Sequence, residues 1–408
     1  MSLSGAIFIG LSGMDAYSDG LQIISNNVSN LDTIGYKAET VSFNDIYDTS
    51  SGSGSDLLGA NNGSTGEGVR ANAPLTDFSQ GTLEQTGNAL DLAIQGNGFM
   101  VLQSGGKTYY VRTGSFSVGQ SGDITLQGTP TGTSYNLAVL NSANQPTIVN
   151  VNADSTSTPV ATTTVTLGDN LSSTATTATV SNITVFDSEG DAHTWTITVT
   201  PSTTTSSTTG ETDWNVAVTD ETGATVGTGT VGFNGSTVDP ATAKLTINDT
   251  LSNGASPLAV VLDFSSVTSF DAGATSTLQT TAVNGNGVGS LSSVTVNSSG
   301  DLILTYSNSQ TKNLGAVAVA NFENPQLLSN IGGGLYTNPN GVQGQLLPSG
   351  SNNAGSIVSG QLETSNVNLT QEFGDLILIQ RGYQASSEVV SVSNDMIQQL
   401  FGIRGQAG

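Results

Sequence analysis

A single histidine, no cysteine and 32 carboxylates bound the chemistry open to this chain of 408 residues. His193 is the only imidazole, so a metal centre needing two histidines cannot be built, and a Ser-His-Asp triad would have to use it. Without cysteine there is no thiolate nucleophile, no zinc–thiolate site and no disulfide. His193 ends the run Phe186-Asp-Ser-Glu-Gly-Asp-Ala-His193. Within it Asp187, Glu189 and Asp191 have the alternate spacing of a Ca²⁺ loop. The competing reading is a tight hairpin turn whose polar residues face water, and the alternating strand sequences on either side favour it. Paired carboxylates could serve a glycoside hydrolase, but nothing marks a pair, and an aromatic content of 6% gives little for a sugar-binding cleft. Gly96 and Gly98 do not make a phosphate loop, because strand and not helix is expected after them. No catalytic residue, cofactor or metal is expected, and the chain reads as a non-enzyme.

The charge balance narrows the partners. Thirty-two acids against eight Lys and Arg give a net charge of −24. Nucleic-acid binding requires clustered cations, whereas only Lys244 lies between Arg112 and Lys312. Charged residues make up 10% of the chain, well below the usual share of about 25%, with Ser, Thr, Asn and 50 glycines in their place. Such a surface suits extracellular β structure and polymerisation, since few charges are desolvated at each contact. No stretch approaches the roughly 18 apolar residues of a membrane span. No Lys or Arg precedes Lys37 and no apolar h-region is present, so no cleavable signal peptide is expected, which implies export by another route or a cytosolic protein of odd composition.

Both ends carry helical patterns. Leu3, Ile7, Met14, Tyr17, Leu21, Ile24, Val28 and Leu31 follow steps of three, four and seven, which predicts a heptad seam on a helix about 43 Å long. Only Gly10 interrupts the seam, but the helix contains Gly5, Gly10, Gly13 and Gly20, each costing about 0.8–1 kcal/mol relative to Ala, so it needs a partner. At the other end Asn368 and Gln371 have capping-box spacing. Leu369, Leu376, Tyr383, Val390 and Ile397 then recur every seven residues, with Phe373, Ile379, Leu400 and Phe401 widening the stripe. Gly402 is expected to close this second helix.

Between the ends the pattern is β. Leu92–Ile94 and Phe99–Leu102 flank Gly96-Asn97-Gly98, which predicts a hairpin or bulge. Tyr109–Val111, Phe116–Val118 and a later block from Val294 to Val319 continue it. Thr- and Ser-rich sequence with alternating strands such as Trp195–Val199 predicts a small sandwich or barrel in the middle. The expected fold is mainly β with terminal α-helices, nested and multidomain. Residues 1–33 and 366–408 form a paired, coiled-coil helical domain, 34–75 and 355–365 connecting segments, 76–143 and 286–354 an inner β domain, and 144–285 an inserted outer β domain. Mobility of both ends in the free monomer, with ordering on assembly, follows from the glycine content and the lack of a core of their own.

Three motifs carry a resemblance. Asn26-Asn27-Val-Ser-Asn30 precedes Thr33-Ile-Gly35-Tyr36-Lys37. Leu92–Phe99, with Gly96, Gly98 and Phe99, precedes the stretch holding Arg112, Gly114 and Phe116. Gly360–Asn368, with Ser365 and Asn366, leads to Gln380-Arg381-Gly-Tyr383. In this order they resemble the axial proteins of the bacterial flagellum, the rod and hook family. The insert of roughly 140 residues is similar to the outer domain of the hook members. The resemblance implies a non-enzymatic subunit that polymerises with itself into a curved tube and transmits torque as a universal joint. It also implies type III export and contact with the distal rod protein, the hook cap protein and the hook–filament junction protein. The expected location is the extracellular hook next to the basal body. The self-assembly interface is assigned to the apolar seam residues of the two end helices. A distal-rod type of axial protein and, from another class, a Thr/Ser-rich secreted adhesin are the alternatives.

Overall fold

The computed structural model describes residues 3–47, 66–129, 132–203, 210–251, 253–342, 344–351 and 354–405. The protein is mostly β, with one helix at each end: α1, Leu3–Ser29, and α2, Leu369–Gly405. The chain divides into two compact units. The first comprises Met1–Ala153, Val294–Ile303 and Asn313–Gly408; the second, Asp154–Ser293 and Leu304–Lys312.

Alpha-helix α2 begins where the capping pattern placed it. Asn368 Oδ1 accepts from the N–H groups of Thr370 (3.1 Å) and Gln371 (3.3 Å), which would otherwise lack partners in the first turn. Its end differs from expectation, because the helix runs through Gly402 to Gly405. Glycine permits the left-handed residue that stops a helix but does not impose it.

In the first unit an antiparallel sheet runs in the order Ser329–Gly332, Leu335–Thr337, Lys107–Val111, Phe99–Ser104, Asn136–Leu140, Ile124–Leu126, Thr113–Val118, Asp91–Gln95 and Ser356–Ser359. Leu92, Ala93, Ile94, Met100, Val101 and Leu102 are all fully buried. These strands are covered on both faces, which is why their sequence is continuously apolar. Phe99 anchors an aromatic cluster, edge-on to Tyr336 at 5.6 Å and to Phe322 at 6.0 Å.

The hairpin expected around Gly96-Asn97-Gly98 does not form. Asp91–Gln95 pairs with Thr113–Val118 and Ser356–Ser359, whereas Phe99–Ser104 pairs with Lys107–Val111, Asn136–Leu140 and Ala318–Asn321. Gly96 and Gly98 adopt φ of 101° and 114°, conformations open to glycine. Their carbonyls thereby turn to the Arg112 guanidinium (2.6 and 3.2 Å) and not to a facing strand.

In the second unit the sheet order is Ala178–Phe186, Ala192–Pro201, Glu211–Thr219, Thr225–Asn234, Thr237–Val238, Leu258–Thr268, Thr164–Asn170 and Gln279–Val283, with Lys244–Asp249 also on Leu258–Thr268. Period-two patterning sends Trp195, Ile197 and Val199, and likewise Trp214, Val216 and Val218, into one core.

The junction that seats the terminal helices

Alpha-helices α1 and α2 pack along a seam of small residues. The buried positions of α1 are Gly10, Gly13, Ala16, Gly20, Ile24 and Asn27. A Cβ on Gly10 would lie 2.6 Å from Val390 Cγ2, one on Gly13 2.5 Å from Ser386 Oγ, and one on Gly20 2.7 Å from Ile379 Cδ1. From the other side, Gly382 lies against the Tyr17 ring. The inward positions of α2 are Glu372, Ile379, Ser386 and Ser393, spaced by seven, so the pair keeps a coiled-coil repeat with close backbones.

Around this seam the residues assigned to assembly are divided. Ile24 is buried, while Ile7, Met14, Tyr17, Leu21, Val28, Leu31, Leu376, Tyr383, Val390 and Ile397 are half-buried. Leu369 and Phe373 are exposed, Phe373 by 50%. The side chain of Leu3 lies outside the described residues. Further apolar groups face outward: Phe8 and Leu11 on α1, and Ile377, Leu378, Val389, Val392, Met396, Leu400 and Phe401 on α2.

The roots of both helices converge on one buried junction. Glu363, at the end of the strand Gln361–Glu363, has no solvent exposure. Its Oε1 accepts from Lys37 Nζ (2.6 Å) and the Gly81 N–H (2.8 Å), and its Oε2 lies 3.4 Å from Arg112 Nε. Its carbonyl accepts from Gly35 N–H at 2.8 Å, and its N–H donates to Thr113 Oγ1 at 2.9 Å. Lys37 also donates to the Ser79 carbonyl at 2.6 Å, and Arg112 lies over the Phe99 ring at 5.8 Å. Burial pulls the Lys37 ammonium below its usual range, against the opposing pull of Glu363.

Two asparagines complete the junction. Asn27 Nδ2 donates to the Glu39 carbonyl (2.8 Å) and to Glu372 Oε1 (3.0 Å), while its Oδ1 accepts from Tyr36 OH (3.1 Å) and Glu39 N–H (2.9 Å). Asn366 Oδ1 accepts from Ala38 N–H (2.7 Å), and its Nδ2 donates to the Asp77 and Ser79 carbonyls. Burial raises the Glu372 carboxyl, opposed by the Asn27 bond, and carries the Tyr36 phenol to about 12.

The three sequence motifs thus meet here through Asn27, Gly35, Tyr36, Lys37, Gly96, Gly98, Phe99, Arg112 and Asn366. Gly114 and the buried Phe116 lie on the neighbouring strand, and Ser365 Oγ accepts from Val367 N–H. Asn26 and Asn30 bond each other on the surface, while Gln380 and Arg381 are exposed on α2. Sequence reasoning gave Glu363 and Glu372 no role, although both lie in the C-terminal motif. The available signal was the scarcity of cations, since Lys37 and Arg112 are two of only eight and each needs a carboxylate when buried.

The loop before His193 is a turn. Asp187 is buried, and its Oδ1 accepts from the N–H groups of Glu189, Gly190 and Asp191 within 2.9 Å. Its Oδ2 accepts from Asn253 Nδ2 at 2.6 Å and lies 3.3 Å from His193 Nε2. Its donors therefore hold the carboxylate in the hairpin. Among the described residues no group of three or more His, Asp or Glu is arranged to hold a metal ion.

Residues 7–37 match the family model of the flagella basal body rod protein, and residues 358–403 that of the flagellar basal body rod FlgEFG protein C-terminal region. These two segments contribute Lys37 and Glu363. The flagellar hook protein FlgE of Escherichia coli K12 is 31% identical, across 97% of this chain and 98% of its own. The chain belongs to the flagellar hook protein family. The hook protein of Salmonella typhimurium is 30% identical over 99% of this chain and 100% of its own, and that of Treponema pallidum 28% over 98% and 99%. The family is structural and not enzymatic, and its members are hook subunits.

Proposed function

We propose that this chain polymerises through its two end helices into the tube of the flagellar hook. The observation that carries the reading is the exposed apolar side of a helix pair whose inward side is already packed. Val389, Val392, Met396 and Leu400 stand three and four residues apart on α2, all exposed. Contiguous exposed apolar surface marks an interaction site. A second copy meeting it through a different surface gives a contact that continues as a helix instead of closing.

In this reading the β units form the outer layers of the tube. They slide as a curved hook rotates, which makes it a universal joint. The distal rod protein precedes the subunit, the hook cap protein covers the growing end, and the hook–filament junction protein follows. Export proceeds through the type III apparatus. Electron microscopy of the purified chain after assembly tests the reading: curved tubes are expected. Straight rods would favour a distal-rod role, and failure to polymerise at any concentration, with surface binding retained after deletion of both ends, would favour an adhesin.

A further inference from the structure

We propose that the Lys37–Glu363–Arg112 junction is a latch that makes seating of the two terminal segments mutually dependent, so neither helix root is held until both are present. Lys37 and Arg112 are both buried cations, and Glu363 is the carboxylate that both approach. Take Glu363 away and Lys37 Nζ keeps only the Ser79 carbonyl, beside the like charge of Arg112. A buried cation in that position is strongly disfavoured. Remove the N-terminal root instead, and the C-terminal segment loses Lys37 together with the Gly35 and Ala38 N–H groups.

The partners lie 326 and 251 residues apart in sequence. Whenever the chain is delivered N-terminus first, Lys37 therefore waits for almost the whole chain before its carboxylate arrives. An incompletely delivered chain has an unseated α1 root, and so cannot present the paired-helix surface. The latch concerns the folding of one chain and holds whether or not the hook reading does.

Hydrogen exchange on the full-length monomer tests the inference. Glu363→Gln is expected to speed exchange at least tenfold over residues 33–40, in a segment far removed in sequence. Lys37→Met is expected to do the same over residues 360–368. The double variant Lys37→Met/Glu363→Gln should recover protection relative to Glu363→Gln alone, because the unpaired ammonium beside Arg112 is gone while Arg112 keeps the Gly96 and Gly98 carbonyls. Fluorescence of Trp195 and Trp214 reports that the second unit is folded, and unchanged exchange over residues 91–104 reports the same of the first unit's sheet. Unchanged exchange over residues 33–40 in Glu363→Gln overturns the latch. So does a double variant whose loss of protection is the plain product of the two single losses.

Discussion

Gly13 and Ser386 face each other so closely across the helix seam that a Cβ on Gly13 would come within 2.5 Å of the serine Oγ. Gly10 is tighter in kind, since its added Cβ would meet the Ser386 backbone carbonyl at 3.1 Å as well as Val390. Helix propensity and packing therefore pull in opposite directions here. Gly10→Ala gains about 1 kcal/mol of propensity but overpacks a seam where such changes cost about 1–3 kcal/mol. It is expected to reduce helical circular dichroism on heating. At Gly374, where an added Cβ would meet nothing within 4 Å, the same change should raise it. Equal effects at both sites would show that the seam is loose.

Acid should open the second unit through Asp187. Burial opposes ionisation there, but the donors Asn253, Asp191, His193 and Glu189 take the carboxyl down to about 2 from its usual 3.8. A depressed carboxyl contributes stability above its unfolded value and loses it as pH falls through its folded value. Asp187→Asn should destabilise the unit by about 1–3 kcal/mol at neutral pH. The gap between variant and parent should close between pH 4 and 2, as read by tryptophan fluorescence during unfolding. A gap that persists at pH 2 would place its cause outside the carboxylate.

Alkali should act on the first unit through Tyr36, whose phenol is held up at about 12 by burial and then by Glu39 and Glu372. Stability tied to a raised phenol is fully present below pH 10 and is lost as pH climbs toward 12. Lys37, lowered by burial, contributes in the opposite direction. Tyr36→Phe loses the bond to Asn27 and should be about 1 kcal/mol less stable at pH 7. Its curve should meet that of the parent by pH 12. Parallel curves would refute the assignment.

The helices at the ends, the β character between them and the N-cap at Asn368 were all legible, because each rests on spacing within a few turns of chain. Gly10, Gly13 and Gly20 were legible only as a penalty. Their reason lies in Ile379, Ser386 and Val390, more than 350 residues away, which no local period reveals. Apolar spacing on α2 was also ambiguous: Phe373, Ile377, Leu378 and Val389 run round the helix, so no single stripe marks the side that meets α1. Glu363 lay inside a motif but was one of 32 acids, and only the fold brings Lys37 and Arg112 to it. The turn at Gly96–Gly98 read as a hairpin because turn chemistry is local, while the partner of its carbonyls, Arg112, is not.

Outward and inward apolar groups on the helix pair should separate by phenotype. Val392→Ser combined with Leu400→Ser replaces apolar groups that are 40% and 61% exposed, so unfolding should shift by only about 0.5 kcal/mol while polymerisation fails. Ile24→Asp places a carboxylate in a buried position and is expected to lower helix content and polymerisation together. Sedimentation of assembled material against monomer melting distinguishes the two. Normal polymers from the double serine variant would remove this face from the assembly interface.

The segment 156–290, the greater part of the second unit, is expected to shape the polymer without being needed to form it. Its entering and leaving strands lie side by side, with Thr156 opposite Ser290 and the Leu291 N–H donating to the Ser155 carbonyl at 2.8 Å. Residues 156–290 can therefore be excised and the ends rejoined by a short Gly/Ser linker with little displacement. The buried junction and both helices lie wholly in what remains, so tubes should still grow. The excised surface is rich in Thr and Ser, and Lys244 is its only Lys or Arg. Contacts made by such a surface are weak and polar, with few ion pairs to break, as a layer that slides during rotation requires. Removing it should leave tubes straight or irregularly curved and impair swimming. Raising salt on the intact polymer should change curvature far less, because screening acts on charges. Regular, undiminished curvature after excision would assign the bend to the first unit and the helices instead.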